Sequence, residues 1–211
     1  MLFRSGSPEE IEEDEGYGAP HGPRVTLGIY QLKLVVDGDI LTQNLKVQMD
    51  PRSSVTSTEL DEQLRLGLEI FGEVRRSRRA AVEINAVKKR LDEVQQKLGG
   101  HQTELLKQVT ALQAAITKIE KGSGPSMMGL DAANSGLASA LRVVESGDRT
   151  APSQAIEVYK QSDEAAKARI AEWTKLKSVE LPQLNNALQK GGISPIQISQ
   201  IEHEVEFLVS Q

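Results

Sequence analysis

The spacing of apolar residues changes once along this chain, at Asp50-Pro51, and this change constrains the fold more than any other feature. Before it, every second residue is apolar in two runs: Tyr30, Leu32, Leu34 and Val36, then Leu45, Val47 and Met49. Asp37-Gly38 lies between the runs and is typical of a two-residue turn, because both turn residues take positive φ. The pattern predicts a β-hairpin with one apolar face, ending where proline cannot extend a ladder.

From Ser57 onward, apolar residues recur at intervals of three and four, which is typical of helices with one buried stripe. Either Thr56 with Glu59 or Thr58 with Asp61 can form a capping box at the start. The stripes are Leu60, Leu64, Leu68, Phe71, Val74, Ile84, Val87, Leu91, Val94 and Leu98; Leu105, Val109, Leu112, Ile116 and Ile119; Leu130, Leu137, Leu141 and Val144; and Ile156, Tyr159, Ala166, Ile170 and Trp173, followed after a kink near Pro182 by Leu181, Leu184 and Leu188.

These patterns predict a mostly α fold, an antiparallel helical bundle of three to four long helices preceded by a β-hairpin and a disordered N-terminal tail. Residues 1–23 form the tail, an acidic linker with too little apolar surface to fold. The hairpin spans 24–52 and the bundle 57–195. Residues 196–211 are a C-terminal tail, in which Ile201 to Leu208 are read as one more short helix.

The hairpin raises a question that the helices do not, because two strands alone are marginally stable in water. Its apolar face has to pack on something. Either the face lies on the helices that follow, or it belongs to a sheet whose other strands are absent from this chain. The second alternative makes the hairpin a remnant of a β-sandwich and the chain the end of something larger.

Composition excludes several classes of function. No cysteine is present, so neither a disulfide nor a thiolate site exists. The net charge of −5 argues against nucleic acid as the main partner. The chain has no apolar run of about 18 residues, so no membrane span is predicted. Its first stretch is too short and too polar for a signal peptide.

A search for chemistry yields no site. The three histidines, His21, His101 and His203, are isolated, whereas a metal site needs several ligands at fixed spacing. Neither a nucleophile elbow nor a phosphate-binding loop is present. We therefore predict no catalytic residue, no cofactor-binding residue, no metal ligand and no cofactor, and a hydrolase acting on its own is disfavoured.

Two further features have an ordinary structural interpretation. Arg75, Arg76, Arg78 and Arg79 form a basic run that phosphate could bind. Acidic neighbours and the lack of interleaved aromatic residues favour a solvated helix face with ion pairs instead. Trp173 and Tyr159 could form a ligand platform, but their place on an apolar stripe favours packing in the core.

Two stretches together carry a family resemblance. One runs from Leu27 through Asp37-Gly38 to Met49-Asp50-Pro51-Arg52. The other comprises Gly147-Asp148, Ala151-Pro152, Trp173 and Leu181-Pro182-Gln183-Leu184-Asn185. Over residues 24–195 the chain resembles the C-terminal region of bacterial BNR-repeat, sortilin-like β-propeller proteins, often labelled glycosyl hydrolases. Leu27 departs slightly, because the family usually has a small residue or proline there.

The resemblance implies an immunoglobulin-like strand pair followed by a helical tail, an extracytoplasmic location and a β-propeller domain or other protein as partner. The family's Asp-box, S-x-D-x-G-x-x-W, is absent, so no catalytic residue is carried over. Because the chain shows no export signal, a cytoplasmic location stays open. The expected function is a non-catalytic accessory module; the alternative is a free-standing helical adaptor that binds a protein partner. Heptad spacing also permits self-association.

Overall fold

A computed structural model describes residues 24–98, 102–123 and 127–197. Within them the predicted fold class is confirmed, since an antiparallel β-hairpin precedes a mostly helical chain. The predicted tail at 1–23, the short helix at 201–208, the turn at Gly99-Gly100 and all three histidines lie outside the described residues.

The hairpin consists of β1 (Gly28–Val36) and β2 (Asp39–Val47), paired from Gly28 with Val47 to Val36 with Asp39. The turn residues Asp37 and Gly38 have φ angles of 51° and 92°. Positive φ at both central residues is the type I′ geometry that matches the twist of the strands. The predicted turn is therefore confirmed, and it fixes the register of every side chain behind it.

The helical part contains α1 (Ser57–Lys97), α2 (Thr103–Lys121), α3 (Leu130–Val144), α4 (Ser153–Lys175) and α5 (Leu181–Lys190). Thr56 and Glu59 form the capping box that starts α1. The Thr56 N–H donates to Glu59 Oε2 at 2.9 Å, and the Glu59 N–H donates to Thr56 Oγ1 at 3.3 Å. The first of the two capping alternatives is therefore correct.

A π-helical turn, Leu176–Glu180, joins α4 directly to α5. The residues on both sides of the turn, Lys175 and Leu181, keep right-handed helical φ and ψ angles, so the backbone passes through without a break. Pro182 has no N–H to donate to the carbonyl of Ser178, one turn earlier. A wider turn at this point accommodates the missing bond, and it lies directly before Pro182, where the sequence predicts a kink.

The described residues form two compact units. The first contains the hairpin and α1 as far as Gly72, together with Ala138–Glu157. In this unit the Gln63 amide donates to the carbonyl oxygens of Val144 and Gly147, and the Thr150 hydroxyl donates to Glu59 Oε1. The loop after α3 is thereby held against the beginning of α1, which fixes the helices that adjoin the hairpin.

The second unit contains Glu73–Leu137 and the chain from Val158 onward. Its core is aliphatic and follows heptad spacing, which confirms most of the predicted stripes. Fully or almost fully buried are Val74, Ile84, Val87, Leu91, Val109, Leu112, Ile116, Ile119, Leu130, Leu137, Tyr159, Ala166, Trp173, Leu181, Leu184 and Leu188. Core packing, the favoured interpretation of Trp173 and Tyr159, is therefore confirmed.

The predicted stripe of α1 is wrong at one position. Leu68 is exposed, whereas Ile70, which the pattern omitted, is fully buried. The buried line of this helix continues from Ile70 to Val74 and Ser77 at intervals of four and three, which leaves Leu68 on the solvent side. Both residues are large and aliphatic, so spacing alone did not distinguish them.

Candidate interaction surface

The hairpin exposes apolar side chains of the kind that are buried in the helices. The register places Tyr30, Leu32, Leu34 and Val36 on the same face as Leu41, Leu45 and Val47, which we call the leucine face. Leu34 and Leu41 are directly opposite each other and are 57% and 64% exposed. Of the two alternatives for this face, packing on the helices is contradicted for its central residues.

The opposite face of the hairpin is more polar. Gln31, Lys33, Thr42, Asn44 and Lys46 lie on it, with exposed Ile29, Val35 and Ile40 between them. Two exposed isoleucines and a valine on a mostly polar face are ordinary surface composition. The leucine face differs in degree. Val35 and Ile40 are also opposite each other on the polar face, but the leucine face has seven apolar residues, and only Asp39 and Gln43 on it are polar.

The base of the hairpin is the part that contacts the helices of the first unit. Leu60 and Leu64 of α1 approach the strand ends there, around a cavity of about 140 Å³ that Val47 and Met49 also line. Arg24 pairs with Asp148 across 3.5 Å beside it, with both side chains more than half exposed. The hairpin is thus attached at its base, and its turn end extends beyond the attachment.

Met49-Asp50-Pro51-Arg52, one of the motifs behind the family resemblance, forms the turn between hairpin and helix. Asp50 Oδ1 accepts hydrogen bonds from the Arg52 backbone N–H at 2.9 Å and from the Arg52 Nε–H at 3.0 Å. Asp50 Oδ2 accepts a third from Arg52 Nη2 at 2.7 Å. The Arg52 side chain and backbone hold the pKa of Asp50 below its usual value. The motif therefore redirects the chain, and catalysis is not needed to explain it.

Asn185, the last residue of the Leu-Pro-x-Leu-Asn motif, also has a structural role. Its amide donates to the Ile196 carbonyl at 2.9 Å, and its oxygen accepts the Ile196 N–H at 2.8 Å. Ile196 is also buried. The side chain thus binds the chain that follows α5 at Ile196, the first residue of the predicted C-terminal tail.

The basic run on α1 is solvated, as its acidic neighbours and the lack of interleaved aromatic residues predicted. Arg75, Arg76, Arg78 and Arg79 are all exposed, and Arg76 pairs with Glu73 at 3.2 Å. Farther along the helix, Lys88 donates to the buried Glu120 at 2.6 Å. Ion pairing within the helical unit therefore accounts for part of the charge.

Sequence reasoning missed a polar cluster inside the second unit. Glu83 is 8% exposed and accepts hydrogen bonds from Trp173 Nε1 at 2.8 Å and Lys177 Nζ at 2.7 Å. On the same helix as Trp173, Ser162 and Arg169 are buried at heptad positions. Gly136 faces Ser162 so closely that a Cβ at Gly136 would lie 2.0 Å from the hydroxyl oxygen. Glu83 has apolar neighbours in the sequence, but this alone does not distinguish a buried glutamate from a solvated one.

Other concave or charged places are weak candidates. A groove of about 500 Å³ between α2 and α5 is lined by polar residues such as Gln108 and Gln183 and by apolar ones such as Leu112 and Leu184. Within residues 24–98, 102–123 and 127–197, no three acidic or histidine side chains converge as metal ligands would. No helix in the described part of the chain has both the length and the apolar content needed to cross a bilayer.

Comparisons with known proteins add no assignment. The chain matches no protein-family model, no curated protein and no solved structure.

Proposed function

We propose that this chain is a non-catalytic interaction module that docks on another protein domain through the leucine face of its hairpin. The observation that carries the proposal is the contrast between fully buried residues such as Leu91 and the exposed pair Leu34 and Leu41. Contiguous apolar surface on one face is typical of a place where another protein binds. The helices supply a body to which the hairpin is attached.

The family resemblance suggests the nature of the partner. In bacterial BNR-repeat, sortilin-like proteins a β-propeller precedes a strand pair and a helical tail, so the proposed partner is a β-propeller domain or the strands associated with it. The resemblance also suggests an extracytoplasmic location. The turn at Asp50 to Arg52 supports the proposal, because it holds the end of the hairpin in a defined relation to the start of α1.

The test is a titration of the full chain with the purified β-propeller region of a BNR-repeat, sortilin-like protein from which the C-terminal region is removed. The face variant replaces the opposed pair, Leu34→Thr with Leu41→Thr. The control replaces the opposed pair Gln31→Thr with Asn44→Thr on the other face. Threonine is a good strand residue, so both variants keep the hairpin.

We expect the face variant to bind more than about tenfold more weakly, because each leucine contributes roughly 1.5–3 kcal/mol when buried and 1.4 kcal/mol is a factor of ten. The control should stay within about twofold, since small surface changes are worth less than about 0.5 kcal/mol. Equal affinity of all three proteins contradicts docking through this face. If the wild-type chain does not bind, this partner is wrong and the free-standing adaptor becomes the better hypothesis.

A further inference from the structure

The hairpin has two outer edges, and neither is paired with another strand in the described part of the chain. Each strand has nine residues and no proline. Long edges without proline or bulges are templates for strand pairing, and proteins usually blunt or cover them. Each edge here has one such blunting residue, Lys33 on β1 and Lys46 on β2. The edges are therefore a second feature, besides the leucine face, that a partner has to cover.

The register shows which backbone groups are available at these edges. In a hairpin closed by a two-residue turn, the residues beside the turn, Val36 and Asp39, form a hydrogen-bonded pair, and the pairs then alternate. The backbone N–H and C=O groups of the leucine-face residues thus form the hydrogen bonds between the two strands of the hairpin. The outward-pointing N–H and C=O groups belong to residues of the opposite face: Ile29, Gln31, Lys33 and Val35 on β1, and Ile40, Thr42, Asn44 and Lys46 on β2.

The size of the hairpin argues against a second copy of this chain packed face to face on the leucine face. Nine residues rising about 3.3 Å each, on two strands about 4.8 Å apart, give a face of roughly 300 Å². Two such faces bury about 600 Å² in total, whereas stable protein interfaces bury about 1,200–2,000 Å². A partner that covers an edge as well as the face gains main-chain hydrogen bonds in addition to this area.

We propose that the free edge of β1 pairs with a strand of a β-rich partner domain, so that the hairpin becomes two strands of a larger sheet and the leucine face joins the core of that domain. This inference rests on the proposed function and specifies how the partner is bound. The partner is defined by its chemistry: a β-sheet with one open edge and an apolar face.

The two edges differ, and the differences favour β1. Among residue types that are depleted in strands, β1 has only Gly28 and Lys33, whereas β2 has Asp39, Asn44 and Lys46. The Asn44 carbonyl, on the outer edge of β2, already accepts a long bond of 3.5 Å from the neighbouring Gln43 side chain. The edge of β1 is therefore the better template for a new strand.

The first test is amide hydrogen exchange of the full wild-type chain, alone and with the β-propeller region described above. Pairing at β1 predicts that the outward amides of Gln31, Lys33 and Val35 exchange at least about tenfold more slowly in the complex, whereas those of Thr42 and Asn44 change little. Protection at Thr42 and Asn44 instead assigns the pairing to β2 and overturns the inference. The same protection in the chain alone, together with a dimeric mass in light scattering, assigns the edge to a second copy and also overturns it.

The second test exchanges one residue for proline at matched positions of the two edges. Gln31 and Asn44 are opposite each other, both are exposed, and both have outward-pointing N–H groups, so Gln31→Pro and Asn44→Pro each remove one edge donor. We expect Gln31→Pro to weaken binding about tenfold or more and Asn44→Pro to change it less than about threefold. If both prolines weaken binding, the exchange pattern of the wild-type complex decides between the two edges.

A third outcome separates this inference from the proposed function. If both proline variants bind normally while the Leu34→Thr, Leu41→Thr variant does not, the leucine face docks without strand pairing. The edge inference is then wrong and the proposed function stands. If the face variant binds as well as the wild type, the proposed function itself is wrong.

Discussion

Replacing Glu83 tests whether the polar cluster in the second unit specifies how its helices pack. The carboxylate accepts from the Trp173 indole at 2.8 Å and from the Lys177 ammonium at 2.7 Å. Glu83→Ala leaves the indole N–H without this acceptor in a residue that is 1% exposed. An unsatisfied buried donor costs about 1–3 kcal/mol.

The ion pair contributes less than the indole bond. The Lys177 side chain is 23% exposed, so its ammonium retains access to water, and we assign the loss of this pair about 1 kcal/mol. Glu83→Ala should therefore lower the free energy of unfolding by about 2–4 kcal/mol. Glu83→Gln is the matched control: it keeps an acceptor for the indole and a similar shape, and it should cost only about 1 kcal/mol.

The assay is urea unfolding followed by far-UV circular dichroism for the helices and by fluorescence for Trp173, the one tryptophan of the chain. In a Trp173→Phe background, which removes both the donor and the tryptophan fluorescence, unfolding is followed by circular dichroism alone. There Glu83→Ala should cost about 1–2 kcal/mol less than in the wild type. Equal costs in the two backgrounds, or equal costs of the alanine and glutamine variants, refute the assignment of the energy to the indole bond.

Three further predictions concern the core, the chain after α5 and the capping box. Leu91→Ala should cost about 3–5 kcal/mol because it opens a cavity, whereas Leu41→Ala should cost less than about 1 kcal/mol; thermal unfolding measures both. Asn185→Ala should speed amide exchange at Ile196 at least about tenfold, because it removes the acceptor of that amide. The Thr56 backbone N–H, then the Thr56 and Thr150 hydroxyls, lower the pKa of Glu59. Its stabilising effect is therefore present above the unfolded pKa of about 4.3 and lost as pH falls through the folded value, so urea midpoints of wild type and Glu59→Gln should converge in acid.

Most of the fold was predictable because two periods of hydrophobicity and one turn signal encode it. Alternation with Asp37-Gly38 fixed the hairpin and its register, and intervals of three and four located the helices. The π-helical turn was not predictable in this way, because proline indicates a missing hydrogen bond without indicating how the backbone compensates. The choice of Ile70 over Leu68 depends on which neighbours pack there, and the spacing of one helix does not contain that information.

The candidate surface could be predicted only as one of two alternatives for what the apolar face of the hairpin packs on. The sequence showed that the leucine face needs a covering, and the structure was required to show that the helices do not cover residues such as Leu34 and Leu41. The buried cluster at Glu83 was not predictable, because a glutamate on a helix is far more often solvated than paired with an indole. The identity of a residue sets its charge, whereas its burial depends on contacts with residues far away in the chain. For Glu83 the contact is with Trp173, ninety positions later.

The hairpin and the helices differ in what they need from other molecules. A helix satisfies its own backbone and needs only a covering for one stripe, which neighbouring helices supply. A two-stranded sheet leaves its outward-pointing backbone groups, about half of the total, to solvent and has too few strands to form a core. The type I′ turn and the turn at Asp50 to Arg52 keep the hairpin extended with its apolar residues exposed. Under the proposal above a β-rich domain completes this sheet, and hydrogen exchange at the β1 edge is the measurement that separates the proposal from an exposed hairpin with no partner.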